Sequence, residues 1–101
     1  MELIRKISSF NNRMKWNKQL RKFNRVGEKC KCNRYFSIRE PEHISLGSNF
    51  NGGESIGLHV FGKYKNNIIC ENPKMIIGDN VTMGKHSYIS CANRVEIGNG
   101  V

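Results

Sequence analysis

Three histidines and four cysteines in this sequence have side chains that could act as a base, a nucleophile or a metal ligand. They are His43, His59, His86, Cys30, Cys32, Cys70 and Cys91. Cys30 and Cys32 could hold a soft metal together, but a zinc site normally takes a second pair at similar spacing. Because Cys70 and Cys91 stand alone, we expect no metal site and interpret them as small buried apolar residues.

The histidines show no arrangement for nucleophilic catalysis. None has an adjacent serine or cysteine together with a third group that would orient the imidazole, so we expect no triad. His59 alternates with apolar residues and is expected to face solvent from a strand, whereas His43 has no evident partner. The sequence also contains no phosphate-binding loop and no dinucleotide fingerprint.

A recurring sequence pattern predicts the elements that carry these side chains. Copies occupy residues 44–50, 75–81 and 95–101, and each reads apolar, any, apolar, Gly, polar, Asn or Gly, apolar. The glycines of the last two copies, Gly78 and Gly98, are separated by twenty positions. Internal repeats at such a period indicate a solenoid.

Within this twenty-residue interval the step is six residues, from Ile77 to Met83, Ile89 and Val95. Each hexad predicts one short strand and one tight turn, and three hexads predict a triangular coil whose leading apolar residue points inward. Glycine, asparagine and aspartate tolerate the left-handed backbone of such turns. The pattern therefore predicts a mainly β fold, a left-handed parallel β-helix over residues 44–101, in which stacked coils share an apolar column.

Residues 1–27 are predicted to form a basic amphipathic helix before the repeats. Leu3, Ile7, Phe10 and Met14 recur at helical spacing, and basic side chains lie between them. Such a helix would cap the exposed end of the β-helix, lie on an anionic membrane surface, or do both, and the cap is the favoured role.

The remaining segments and the charge distribution complete the organisation. Residues 28–43 are expected to be a transition, and residues 51–74 are expected to be a coil that carries a loop insertion. Residues 1–35 contain eleven Lys or Arg and two Glu, whereas residues 36–101 contain six basic and six acidic residues. The net charge of +9 therefore comes from the first third of the chain, which indicates either an anionic partner there or a solvated basic helix without a partner.

The repeats resemble those of the hexapeptide-repeat acyltransferases, and most of all the O-acetyltransferases of bacterial capsule and surface-polysaccharide synthesis. The resemblance is carried by Ile77-Gly78-Asp79-Asn80-Val81-Thr82-Met83-Gly84 and by Ile89-Ser90-Cys91-Ala92-Asn93-Arg94-Val95-Glu96-Ile97-Gly98-Asn99-Gly100-Val101, and with the first copy it covers residues 44–101. It implies a homotrimer with β-helices side by side and an active site between subunits. It also implies acetyl-CoA as the donor, a sugar or lipid-linked saccharide as the acceptor, and a histidine as general base.

In that family the catalytic histidine follows a coil like the third copy. The present sequence stops at Val101 inside a repeat, so we expect an N-terminal fragment whose catalytic histidine and CoA-binding coils lie beyond Val101. No residue here is assigned to catalysis or to cofactor binding. Counted back from Ile97 and Gly98, His86 falls near a position that contacts the acceptor in sugar acetyltransferases, so it is the acceptor-binding candidate; a surface-turn histidine is the alternative.

Other functions remain open. A short non-catalytic β-helix could bind an anionic membrane or nucleic acid through its basic N-terminus, although no RNA-binding motif supports nucleic acid. A different β-helix enzyme, such as a metal-dependent hydratase, would need histidines placed across a subunit interface, which His86 alone does not supply. The sequence shows neither a signal peptide nor a transmembrane span, which predicts a cytoplasmic protein, peripheral at the inner face of the membrane.

Overall fold

The chain is mainly β with one helix. The computed structural model describes residues 2–65 and 67–101, with side chains from residue 10 onward apart from that of Tyr64. Helix α1 spans Glu2–Leu20. It ends earlier than the sequence predicts because the chain turns there: the Lys22 N–H donates to the Gln19 carbonyl at 3.0 Å, and the Phe23 N–H donates to that of Leu20 at 3.3 Å.

Of the twelve strands in the part of the chain that the structure describes, ten form three parallel sheets. Sheet 1 contains β1 (Arg25–Val26), β4 (Ile44–Leu46), β9 (Lys74–Ile77) and β12 (Arg94–Ile97). Sheet 2 contains β2 (Lys31–Cys32), β5 (Asn51–Gly52) and β10 (Thr82–Met83). Sheet 3 contains β3 (Ser37–Arg39), β6 (Gly57–Val60) and β11 (Tyr88–Cys91).

The chain passes through sheets 1, 2 and 3 in the same order three times and then returns to sheet 1. Parallel pairing places Leu46 opposite both Val26 and Ile77, and Ile77 opposite Ile97. The first and last of these steps each advance the chain by twenty positions, which is the period that the glycines predict. This cyclic order is compatible with a β-helix.

The three parallel sheets begin earlier than the sequence predicts. The segment interpreted as a transition, residues 28–43, contains β2, β3 and a 3₁₀ turn at Pro41–His43. With β1, these strands add one strand to each sheet before the first recognised repeat at Ile44.

The middle circuit carries an insertion. The step from Leu46 to its partner Ile77 is eleven positions longer than the steps from Val26 to Leu46 and from Ile77 to Ile97. The extra chain holds an antiparallel hairpin of β7 (Lys63–Tyr64) and β8 (Asn67–Ile68). The expectation of a loop insertion within residues 51–74 therefore agrees with the structure.

An apolar column fills the space between the sheets. Its fully buried side chains come from sheets 1 and 3 and from the corners on either side of sheet 2: Ile44, Phe50, Ile56, Leu58, Val60, Met75, Ile77 and Val81. Burial of each such side chain is worth about 1.5–3 kcal/mol relative to leaving it in water.

The corners repeat from one circuit to the next. Asn49 and Asn80 occupy the corner after sheet 1 with φ of 62° and 58°, and the Asn49 side-chain amide donates to Oδ1 of Asn80 at 3.0 Å. Ser55 and His86 occupy the corner after sheet 2 with φ of 60° and 59°. Because asparagine accepts the left-handed conformation readily, its place in the first of these corners follows from local chemistry.

Helix α1 covers the β1–β3 end of the column through Trp16. Its ring stacks on Phe50 at a centroid distance of 6.3 Å and meets Phe23 and Phe36 edge to face at 5.9 and 5.2 Å. Its Nε1–H donates to the carbonyl of Cys30 at 3.1 Å. Phe10 and Met14, which belong to the predicted apolar stripe, are instead exposed.

Candidate functional site

Sheet 3 presents an outward-facing group of side chains around His59. Residues alternate between the two faces of a strand, which places His59 outward between two buried neighbours on β6. The parallel register puts Arg39 opposite His59, and it puts Ser37 and Tyr88 on either side of Gly57. A Cβ on Gly57 would overlap the Tyr88 ring, so glycine is what allows that ring to lie flat across the sheet.

Contacts hold the imidazole of His59 in place. Its Nε2 lies 2.8 Å from the Ser37 hydroxyl oxygen. The ring meets Tyr88 and Phe61 edge to face, at centroid distances of 5.4 and 6.0 Å. An unprotonated Nε2 accepts a hydrogen bond from the serine hydroxyl, and a protonated one donates to its oxygen. The arrangement provides a base beside a hydroxyl, which is the first element of general-base chemistry.

Arg39 adds a cation to the same face. Its guanidinium lies 4.5 Å above the centre of the Phe61 ring and donates from Nη2 to the Lys63 carbonyl at 3.3 Å. Its Nε is 3.8 Å from Oε2 of Glu40. A planar guanidinium held in this way can bind a carboxylate or phosphate group in two-point fashion.

His43 belongs to a different cluster, on the 3₁₀ turn. Its Nε2 lies 4.0 Å from Oε1 of Glu40 and 3.9 Å from Oε1 of Glu42. The three ligand atoms are within 4.8 Å of one another, a spacing at which a cation could be held. The Glu40 carboxylate already accepts hydrogen bonds from the backbone N–H groups of Gly62 at 3.2 Å and Lys63 at 3.4 Å, so it fixes the start of the insertion.

A groove of about 680 Å³ runs beside that cluster along sheet 1. Arg25 and Lys74 line it, together with His43 and Glu42. These two cations, the histidine and the carboxylate give the groove polar groups for an anionic or hydroxylated ligand, among apolar side chains such as Ile76.

His86, the predicted acceptor-binding residue, is exposed on the corner between sheets 2 and 3. Its backbone N–H donates to the Glu54 carbonyl at 2.9 Å, as the N–H of Ser55 does to Arg34 one circuit earlier at 3.0 Å. The backbone of His86 is thus part of a repeated corner, and its contact with an acceptor stays a prediction.

Cys30, Cys32 and Cys91 are poor nucleophiles. Burial raises the pKa of Cys32 to about 12, and it raises the pKa of Cys30 against the opposing effect of backbone hydrogen bonds. Burial, reinforced by the nearby Cys70, also raises the pKa of Cys91. Because the thiolate is the reactive form, these three thiols are chemically quiet near neutral pH.

The three histidines therefore lie in separate surroundings, and the pairing of His59 with Ser37 is a contact that the sequence analysis missed. The two residues come from successive circuits, and the circuit that contains Ser37 was not recognised as a repeat. A twenty-residue period extended backward from Leu58 reaches Ile38 and would have placed Ser37 near His59.

Comparisons of the chain with protein-family models, with curated proteins and with solved structures find no match. Among the described residues, no helix has the length and apolar character needed to cross a membrane.

Proposed function

We propose that residues 25–101 are the first coils of a left-handed parallel β-helix of the hexapeptide-repeat acyltransferase type. The observation that carries this proposal is the cyclic passage through three parallel sheets, in which the step from Val26 to Leu46 is as long as the step from Ile77 to Ile97. Each hexad then contributes one strand and one corner, as the resemblance implies.

The corners support a regularly repeating coil. Every circuit places a residue with positive φ after sheet 1, namely Lys29, Asn49, Asn80 and Gly100, with φ between 58° and 73°. Left-handed backbone in L-residues is costly and persists only where the surrounding structure requires it. Its recurrence at one corner points to a constraint imposed by the winding of the coil.

We further propose that the chain is part of an acetyl-CoA-dependent O-acetyltransferase that acts on a sugar hydroxyl in surface-polysaccharide synthesis. Neighbouring subunits of a homotrimer would form the active site, and the catalytic histidine would lie beyond Val101. His86 would contact the saccharide acceptor. We place the protein in the cytoplasm, peripheral at the inner face of the membrane.

The first experiment is to read the DNA downstream of codon 101 in the source. Further Ile/Val-Gly hexads leading to a histidine would support the proposal, and the extended protein can then be tested. We expect that protein to transfer a radiolabelled acetyl group from acetyl-CoA to a saccharide. A stop codon directly after Val101 would refute the part of the proposal that concerns catalysis.

The chain of residues 1–101 provides the matched control for that assay. We expect it to transfer no acetyl group above the buffer rate, because no catalytic residue is assigned to it. In the extended protein, His86→Asn should weaken acceptor binding and raise KM for the saccharide with little change in kcat. Full transfer activity in residues 1–101 alone would contradict the proposed place of the catalytic histidine.

A further inference from the structure

Helix α1 uses one face to cover the apolar column and leaves another in solvent. Trp16 is buried, whereas Phe10 is 54% exposed and Met14 is 56% exposed. Phe10 and Met14 are one helical turn apart, at i and i+4, so their side chains are neighbours on the helix surface. Because the tryptophan already covers the column, these two apolar side chains have no such role.

Cations neighbour this exposed pair along the helix, and more of them follow on the exposed surface of the first circuit. Arg13 precedes Met14, and Lys18 follows it by one turn. Between residues 10 and 35 there are nine exposed basic side chains: Arg13, Lys15, Lys18, Arg21, Lys22, Arg25, Lys29, Lys31 and Arg34. Among the residues that the structure describes, none of the nine forms an ion pair with a carboxylate.

The exposure of the aromatic side chains distinguishes a nucleic-acid partner from a lipid surface. Binding of single-stranded nucleic acid relies on aromatic rings that stack with bases. Trp16 and Phe23 are buried and Phe36 is partly buried in the same cluster, whereas Phe10 and Tyr35 are exposed. The Tyr35 ring already lies beneath the Arg34 guanidinium at 5.7 Å, and Phe10 has Met14 rather than a second ring one helical turn away. What remains exposed on the helix is an apolar pair within a field of cations, the arrangement of a helix that lies in a lipid interface.

We propose that the solvent-facing side of α1 binds an anionic lipid surface. Phe10 and Met14 enter the boundary between head groups and acyl chains, the surrounding Lys and Arg side chains contact the anionic head groups, and Trp16 stays in the cap. This inference does not depend on the proposed acetyl transfer.

The test measures binding of the whole chain to phosphatidylcholine vesicles with and without phosphatidylserine, over a range of salt concentration. Binding should require phosphatidylserine and weaken as salt rises. The double variant Phe10→Ser, Met14→Ser should lower vesicle affinity by about tenfold or more, because it removes the apolar contribution and leaves every charge in place. Lys18→Gln should lower it by about fivefold.

Matched controls come from Lys85 and Tyr88, which lie outside α1 in the last full circuit. Tyr88 is 61% exposed and Lys85 is exposed, so Tyr88→Ser and Lys85→Gln change the same kinds of side chain without touching α1. Both should bind vesicles as the parent does. Circular dichroism should show all four variants folded, since each substitution is at an exposed position.

Three results would overturn the proposal. The first is equal binding to vesicles that lack phosphatidylserine. The second is unchanged affinity in the Phe10→Ser, Met14→Ser variant, which would leave the helix without a role in lipid insertion. The third is tighter binding to single-stranded RNA than to phosphatidylserine vesicles, which would identify nucleic acid as the partner of the basic surface.

Discussion

Gly47 and Gly98 stand at equivalent corners of sheet 1 but in opposite steric situations, which gives a sharp prediction. A Cβ on Gly47 would lie 2.5 Å from both the Gly78 carbonyl oxygen and Oδ1 of Asp79, and still closer to the Gly78 carbonyl carbon. A Cβ on Gly98 would meet nothing within 4 Å. Neither glycine has a positive φ, so Gly47→Ala and Gly98→Ala differ in steric space and not in backbone preference.

The loss in free energy of unfolding expected for Gly47→Ala follows from the neighbouring backbone atoms that the new methyl group must displace. Ordinary contacts begin at 3.4 Å, so the methyl group is short by about an ångström against backbone that cannot rotate away. Overpacking of this kind costs about 1–3 kcal/mol. The shift would also weaken the hydrogen bond from the Gly47 N–H to the Ile77 carbonyl at 2.7 Å and that from the Ser48 N–H to Asp79 Oδ1 at 2.8 Å. At about 0.5–1.5 kcal/mol for each hydrogen bond, the total loss is about 2–6 kcal/mol.

In the chain of residues 1–101, in which no circuit stacks on Gly98, Gly98→Ala should do the reverse. Where alanine fits without strain, the substitution reduces the freedom of the unfolded chain and adds about 0.4–1 kcal/mol of stability. The free energy of unfolding of the two variants should therefore differ by at least about 2.5 kcal/mol, which is large against the total of about 5–15 kcal/mol for a small domain.

Urea unfolding measures this difference. Trp16 is the chain's one tryptophan and is buried in the cap, so its fluorescence reports loss of the native packing. Far-ultraviolet circular dichroism should give the same midpoint if unfolding is two-state. If the two variants unfold at the same urea concentration, the close stacking of circuits at this corner is wrong.

Three further predictions concern the cap, the buried thiol and the acceptor candidate. Trp16→Ala should lower the free energy of unfolding by about 3–5 kcal/mol by circular dichroism, because a large buried ring is lost, whereas Phe10→Ala should have little effect. If both variants lose the same amount, Trp16 is not the residue that closes the column. The stability of the parent should fall as pH rises from 9.0 toward about 12, because the unfolded Cys32 thiol ionises near 9.0 and the folded one only near about 12. Below pH 9.0 the contribution of the neutral Cys32 thiol to stability is fully present. Above pH 9.0 the urea midpoint of Cys32→Ala should therefore fall less steeply with pH than that of the parent. Parallel falls in the two proteins would contradict the burial of Cys32. His86→Asn should unfold within about 1 kcal/mol of the parent because asparagine accepts positive φ, whereas His86→Val should lose at least about 1 kcal/mol; equal losses would mean that the corner does not hold this conformation.

The sequence predicts the later circuits well because their apolar positions and corner glycines are regular. Ile44, Met75 and Val95, the first residues of the three copies, are opposite one another in sheet 1. The sequence pattern does not predict the first circuit, because its inward positions, such as Val26 and Cys32, are separated by charged residues that face solvent. A period carried by a few weak positions is hidden when the outward positions are strongly basic.

The helix illustrates a different limit. Spacing alone identifies Phe10 and Met14 as part of an apolar face, but it does not say which face meets the rest of the chain. Trp16 covers the column because its ring matches the exposed end at Phe50 and its Nε1–H reaches the carbonyl of Cys30. The shape of the Trp16 ring and the hydrogen bond of its Nε1–H determine which face of the helix packs on the column, and a hydrophobic pattern contains neither.

The position of the candidate site has the same physical origin. The insertion leaves the repeat after Val60, is tied down by the Glu40 carboxylate and Arg39, and lets the chain rejoin sheet 1 in register at Met75. Inward residues are constrained by the column, so their pattern predicts the fold. Outward residues such as His59 are free of that constraint, and their neighbours come from other circuits and from the insertion. A repeat therefore specifies where a functional group can be placed on this surface without specifying which group it is, so the chemistry has to be found from contacts.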